Sequence, residues 1–382
     1  MIAMGKHLVF VGGGHAHMTA LLNIRDTIRR GHRVTLISLS PYQYYSGMGP
    51  GMLSGLYRPQ EIRFHVRKMA EDRGAAFIHD TVVRVDPMKQ MLFLQSGTEL
   101  HYDVVSFNTG SEVPMESLGS VQGPVVTVKP IINLLKARKL IIEKLQTKPL
   151  EIAVLGGGPA GVELAGNVRR LVSNHGGAAR ITLVAGAGVF SGFPETMRRL
   201  AVKTLAINGI EMREGVHAQA VAQGSVALSD GGRLPADVVF AATGTRPSSL
   251  FRDSDLPTGE DGGLLVNSYL QSVGYPEIFG GGDCISLKGY SLEKVGVYAV
   301  RQNPILHHNL LAFLGGGRMK QFRVSRKYHH AYLLIFNMGD GTGILRKGRL
   351  MWDGKLAFKL KDYIDRRFMR TFQVSGELAE EE

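Results

Sequence analysis

The apolar run Leu8-Val9-Phe10-Val11 breaks at once into Gly12-Gly13-Gly14, which predicts a buried strand over 7–13 closed by a tight turn. A helix is expected over 15–30, ending at Gly31, and Arg33-Val34-Thr35-Leu36-Ile37 reads as a second strand. The same order returns over 151–185. Ile152-Ala153-Val154-Leu155 leads into Gly156-Gly157-Gly158-Pro159-Ala160-Gly161, then a helix, then Ile181-Thr182-Leu183-Val184. Each unit is followed by an alternating, strand-like region and a strand ending in Thr-Gly, at Thr109-Gly110 and Thr243-Gly244. Residues 41–55 carry too much glycine and proline for a regular element, while 59–73 and 129–147 read as helices. From 318 onward the pattern changes to short strands with turns at Gly339-Asp340-Gly341, Lys347-Gly348 and Asp353-Gly354, then a helix over 356–370.

The fold class expected is α/β: two Rossmann-like three-layer dinucleotide-binding domains plus a small α+β C-terminal domain. The boundaries read as 1–124 for the first part of one nucleotide domain, 125–244 for the second, 245–317 for the return to the first, and 318–382 for the C-terminal domain.

Composition narrows the function. The chain has 382 residues, 44% hydrophobic and 20% charged, with a formal net charge of +12. No apolar run approaches the roughly 18 residues needed to span a bilayer. The first residues lack a signal-peptide layout, so a cytoplasmic protein is expected, with peripheral attachment to the membrane as an option. Fourteen Lys or Arg against four Asp or Glu over 318–372 make the C-terminal block basic. An anionic lipid surface or a solvated face both fit that block. No base-reading motif accompanies it, so nucleic acid is not expected as a partner. The single cysteine, Cys284, excludes a disulfide or a redox dithiol within the chain.

The two glycine turns carry the chemistry. Gly12 and Gly156 allow the tight bend, and Gly14 and Gly158 let the backbone approach a pyrophosphate at a helix N-terminus. Gly161 packs helix on strand, whereas His17 takes that place in the first turn. His15 is a candidate contact to cofactor phosphates; a His15–His17 metal pair has no further ligands, so no metal is expected. Gly282-Asp283, after Phe279-Gly280-Gly281, would offer a carboxylate to a flavin ribityl hydroxyl. The helix beginning at Gly296-Val297 would point its N-terminus at the flavin pyrimidine. The strand 181–184 ends in Ala185-Gly186-Ala187, with no acid to select NAD and no arginine to select NADP. Cofactor preference is open on the sequence.

These three motifs in this order resemble the pyridine nucleotide–disulfide oxidoreductase superfamily over about residues 5–315. The resemblance implies FAD held by Gly12, Gly14, Thr109, Gly110 and Asp283, and NAD(P)H held by Gly156, Gly158, Gly161, Glu163 and Gly244. The cysteine-free stretch Tyr42 to Gly55 excludes the disulfide branch, and a single cysteine makes a sulfide:quinone route, which needs at least two, improbable. What remains resembles type II NADH dehydrogenases, which pass electrons from NADH through FAD to quinone. Their quinone-site helix reads Ala-Gln-x-Ala-x-Gln-Gln; Gly296-Val297-Tyr298-Ala299-Val300-Arg301-Gln302 keeps the second Ala and the final Gln. Val11 to His17, Pro41-Tyr42 with Tyr45-Ser46-Gly47-Met48, and Lys361-Asp362-Tyr363-Ile364-Asp365-Arg366-Arg367-Phe368-Met369 resemble a flavoprotein module sometimes fused to selenophosphate synthetase.

The function expected is transfer of electrons from NAD(P)H through FAD to a quinone or other small acceptor. Glu163, Tyr45 and Gln302 are the candidate catalytic residues. Glu163 would position the nicotinamide; Tyr45, Ser46 and Met48 would line the flavin; Tyr298 and Gln302 would border the acceptor. A flavin-bearing redox sensor with little turnover is the alternative. The C-terminal helix places Leu356, Leu360, Tyr363, Ile364, Phe368 and Phe372 roughly on one side, with Lys359, Lys361, Arg366, Arg367 and Arg370 elsewhere. That pattern suits a helix lying on anionic lipid, a core helix, or a homodimer contact.

Overall fold

The computed structural model describes residues 5–324 and 332–380. Strands His7–Val11, Arg33–Ser38, Ala76–His79, Val104–Phe107 and Ile278–Gly280 form one parallel sheet. In space their order is Ile278–Gly280, Val104–Phe107, His7–Val11, Arg33–Ser38, Ala76–His79. A second parallel sheet repeats this plan as Val125–Thr127, Val238–Ala241, Leu150–Leu155, Ala179–Ala185, Glu211–Glu214. His7–Val11 and Val104–Phe107 are buried at every position, as expected of parallel strands covered on both faces. Each fully buried Phe or Leu of this kind, Phe10 and Phe107 among them, contributes about 1.5–3 kcal/mol.

In both sheets the strand that ends in a glycine turn lies beside one that returns from later in the chain. The order therefore reverses next to the turn, which opens a crevice at the carboxyl ends of the strands. A three-stranded antiparallel sheet, Val82–Asp86, Met91–Leu94 and Glu99–His101, is the excursion of the first unit. Ala218–Ala222, Ser225–Leu228 and Arg233–Pro235 form that of the second, joined by Ser120–Val121.

Two local expectations are corrected. Within 41–55, Gly49–Leu53 is a short helix with Pro50 in its first turn, where a missing N–H costs nothing. Gly51 belongs there because a β-carbon would sit 2.5 Å from the Tyr57 ring. The segment 59–73 is not one helix. The 3₁₀ turn Pro59–Ile62 gives way to the two-residue strand Arg63–Phe64, paired with Gln43–Tyr44, before the helix Val66–Glu71.

Beyond residue 332, Leu334–Asn337, Gly343–Lys347 and Leu350–Gly354 make an antiparallel sheet, followed by the C-terminal helix Lys355–Phe372. This unit docks on the helix Pro159–Asn174 of the second nucleotide domain. Gly166 is required at the contact, since a β-carbon would overlap the Met338 carbonyl, and Gly339 approaches equally closely at φ +84°. The C-terminal helix also lies against the first domain, where Phe368 and Phe372 stack edge-on with Phe64.

Candidate functional site

The first glycine turn is held by the imidazole in its third position. His17 is buried; its Nδ1–H donates to the Gly12 carbonyl at 2.7 Å and its Nε2 meets the Ser106 hydroxyl at 2.8 Å. Both ring nitrogens are thereby used, so His17 has none for a metal or a phosphate. In the second turn Gly161 lies directly against the carbonyl of Gly156, the residue matching Gly12, and a β-carbon would overlap it. One turn closes by contact and the other by a hydrogen bond.

The first turn fits a flavin dinucleotide. Gly12 has φ +87° and a β-carbon there would overlap the Asn108 carbonyl, while one on Gly14 would lie 2.6 Å from Asn108 Oδ1. Gly110 is at φ +75°, and Thr109 is exposed beside it. Two buried polar atoms in this region, His15 Nε2 and Asn108 Nδ2, have no protein hydrogen bond. A buried donor or acceptor left open is costly, and these flank the cradle where cofactor oxygens would be received. Burial drives the His15 imidazole down to about 4, so it stays neutral. His15 packs edge-on against Tyr45 at 5.2 Å and lies 5.9 Å from Phe368.

Asp283 sits across from this cradle. Its Oδ2 accepts from Lys129 Nζ at 2.6 Å and from the Ser111 hydroxyl at 3.1 Å, leaving Oδ1 for a ligand. Lys129 also donates to Ser111 at 2.6 Å. Lys129 lies 154 residues before its partner, so no local pattern points to it. Ser46 Oγ faces Gly296, 3.8 Å from where a β-carbon would stand, so the helix Gly296–Gly315 begins beside the Ser46–Met48 turn. Val297 is half-buried in that first turn.

Gln302 supports the flavin-side turn. It is buried, and its Oε1 accepts the Gly282 N–H at 2.6 Å. That puts it behind the Gly282-Asp283 turn, its amide oxygen engaged by the Gly282 backbone.

The second turn has the matching features. Gly156 has φ +122° and abuts the Ala242 carbonyl, Gly158 is the extended cap of the following helix with open space around it, and Gly244 turns at φ +104°. Five residues beyond Gly158, Glu163 meets the C-terminal unit: its Oε1 accepts the Asn337 N–H at 2.7 Å. Burial pushes the Glu163 carboxyl up to about 7, opposed by the Lys361 ammonium and the Asn337 bond.

Lys361 corrects the expectation for the C-terminal helix. Lys361 and Asp365 face inward, 8% and 5% exposed, instead of joining the basic outer side. Lys361 Nζ donates to Asp365 Oδ2 and to the Gly47 carbonyl, each at 2.6 Å. The Tyr45 hydroxyl donates to Asp365 Oδ1 at 3.1 Å, and the Tyr57 hydroxyl to Asp362 Oδ1 at 2.9 Å. The Asp365 and Glu163 carboxylates hold the Lys361 ammonium above its ordinary range despite burial. Burial and the Asp365 carboxylate raise the Tyr45 phenol, so it remains a donor. Phe368 and Phe372 also point inward, while Leu356, Tyr363 and Ile364 are exposed. The helix is a packed element with a second, apolar and basic face outside.

Cys284 is buried, its thiol donating to the Phe107 and Gly281 carbonyls, and burial raises it from the usual thiol range. Among the described residues no helix is long and apolar enough to cross a membrane.

Residues 6–309 match the family model described as pyridine nucleotide-disulphide oxidoreductase. The internal alternative NAD(P)H-ubiquinone oxidoreductase A1 of Arabidopsis thaliana is 24% identical over 66% of this chain, an alignment spanning 58% of that protein's length. Demethylphylloquinone reductase NdbB of Synechocystis is 24% identical over 72% of this chain and 71% of its own. An NDH2 structure from Plasmodium falciparum superposes with a TM-score of 0.78 at 15% identity, covering 97% of this chain and 98% of that one, and so shares the fold.

Proposed function

Since the chain belongs to the pyridine nucleotide-disulphide oxidoreductase family, and is an oxidoreductase whose cofactors are NAD(P)H and FAD, we propose that it delivers the electrons to a quinone without a thiol relay. The observation that carries this reading is the buried cluster of Glu163, Lys361, Asp365 and Tyr45. Through the C-terminal unit it links the helix of the second glycine turn, by Glu163 and Asn337, to the first domain, by Asp365 and Tyr45. A charged network is there, and no cysteine pair. The quinone relatives support the choice of acceptor.

FAD, when bound, supplies a two-electron carrier between donor and acceptor. The protein's part is orientation and charge. Glu163 would border the nicotinamide, and a carboxyl near 7 can hold a proton there at neutral pH. Lys361 is a fixed buried cation, aimed by Asp365 and the Gly47 carbonyl, and it would stabilise negative charge arriving on the cofactor. Tyr45 keeps Asp365 in place and shares the aromatic wall with His15 and Phe368. Thr109, Gly110, Asp283, Ser46, Gly296 and Val297 would complete the flavin cradle.

The outer face of the C-terminal helix, with Leu356, Tyr363 and Ile364 exposed and Lys359, Arg367 and Arg370 among them, supports contact with an anionic lipid surface. That would bring the site to a lipid-soluble acceptor.

The test is stopped-flow reduction of the flavin-loaded protein, followed by reoxidation with a panel of quinones. Rapid bleaching by a nicotinamide and rapid recovery on quinone are expected. Bleaching without recovery on any quinone would sink the acceptor assignment and favour the redox-sensor alternative.

A further inference from the structure

The strand Ala179–Ala185 reaches the nucleotide crevice without the acidic residue that ordinarily holds a ribose 2′-hydroxyl. Another side chain has entered that corner. A β-carbon on Gly186 would fall inside the imidazole of His217, so this ring occupies the space a side chain at Gly186 would fill. His217 comes from the loop after the next strand, Glu211–Glu214. The corner adjoins the second glycine turn: a β-carbon on Gly157 would lie 2.6 Å from that of Ala185. Phe190 N–H donates to the Gly157 carbonyl at 2.8 Å, and Gly215 N–H to the Ala185 carbonyl at 3.2 Å, tying both loops to that turn.

The carboxylate nearest in register does not substitute for the missing acid. Glu214 pairs with Ala185 across the strands, but it accepts the Val189 N–H at 2.7 Å and two Arg198 contacts at 2.8 and 3.0 Å. His217 is exposed, and its ring makes no hydrogen bond among the described residues.

We propose that His217 reads the 2′ position of the dinucleotide and that the crevice takes NADPH in preference to NADH. The proposal rests on the second glycine turn being the nicotinamide dinucleotide site. A 2′-phosphate carries acceptor oxygens and negative charge, which an imidazole N–H meets with a charge-assisted hydrogen bond. The carboxylate nearest in register, Glu214, is already engaged by the Val189 N–H and Arg198. A 2′-hydroxyl finds no carboxylate to donate to, so NADH forfeits the bond that usually favours it.

The test is calorimetric titration of the flavin-loaded chain with NADP⁺ and with NAD⁺, repeated for His217→Ala and His217→Lys. Tighter binding of NADP⁺ is expected. His217→Ala should weaken NADP⁺ by about tenfold and leave NAD⁺ nearly unchanged, and His217→Lys should restore NADP⁺. Unchanged flavin content checks that the variants fold. Equal or tighter NAD⁺ binding overturns the proposal, as does equal weakening of both ligands by His217→Ala. If neither dinucleotide binds while flavin is retained, the reading of the second turn fails, and the proposal falls with it.

Discussion

Lys361 and Asp365 stand one turn apart on the inward face of a helix whose outward face is basic, 2.6 Å from each other and shielded from water. An ion pair in such a place is tolerated only as a pair. Desolvation of either charge alone costs several kcal/mol, and the partner, the Gly47 carbonyl and the Tyr45 hydroxyl offset it.

Asp365→Ala should therefore destabilise the protein by about 3–5 kcal/mol, measured as a shift in urea midpoint. The double variant Lys361→Met with Asp365→Leu should recover most of that loss. It should still reduce its flavin slowly with NAD(P)H, because the cation is gone. Normal reduction in the double variant would show that the pair serves packing alone.

Glu163 titrates near 7, so it is protonated below that pH and ionised above it. Reduction places negative charge on the bound flavin, which a neighbouring carboxylate disfavours. The rate of flavin reduction should fall several-fold between about pH 6 and about pH 8. Glu163→Gln mimics the neutral form and should give a flat stopped-flow profile over that range.

His17 is held at about 4, below its ordinary 6.5, by burial. As pH falls through 6.5 the unfolded chain takes up a proton that the folded chain refuses. Stability present at neutral pH is then lost progressively down to about pH 4, by about 3 kcal/mol for this residue. His17→Gln should be less stable at pH 7 but show a shallower decline on acidification, read from denaturant curves at several pH values. A slope equal to that of the unaltered protein would contradict this account.

Gln302 holds the Gly282 N–H from behind the Asp283 turn. Gln302→Leu should lower flavin retention, since Asp283 loses its support, at a cost of about 1–3 kcal/mol in binding. Titration of apoprotein with FAD measures this. The KM for quinone in the flavin-saturated variant should stay as it is, whereas a residue bordering the acceptor would change it.

Leu356, Tyr363 and Ile364 point away from the domain. Replacing all three with serine should reduce recovery on anionic vesicles in flotation and leave flavin reduction in solution unaltered. Equal recovery would remove the lipid contact.

Both nucleotide sheets were legible because their signals are local. Four-residue apolar runs such as Leu8 to Val11 meet glycine turns; one helix, Pro159–Asn174, follows the second, while the helix expected over 15–30 is divided into a 3₁₀ turn, His15–His17, and the short helices Met18–Leu22 and Ile24–Arg29. The site was less so, for three separate reasons. Lys361 joins the apolar face of its helix, and amphipathic periodicity assigns a lysine to the outside. Gln302 aims its amide oxygen at the Gly282 N–H, twenty residues earlier, and no local pattern in the helix shows that direction. His217 fills a gap left at Gly186 by folding of a later loop, and no spacing rule connects the two.

The Tyr45–Asp365 bond joins residues 320 positions apart, and Tyr57–Asp362 spans 305. A ribosome releases Tyr45 long before the residue that will restrain it exists. Until the C-terminal helix is made, the first glycine turn has one wall missing. A flavin captured then would sit beside open solvent where Lys361 will later stand. The C-terminal helix therefore finishes a pocket that the first sixty residues begin, and a chain broken before it is expected to shed its colour.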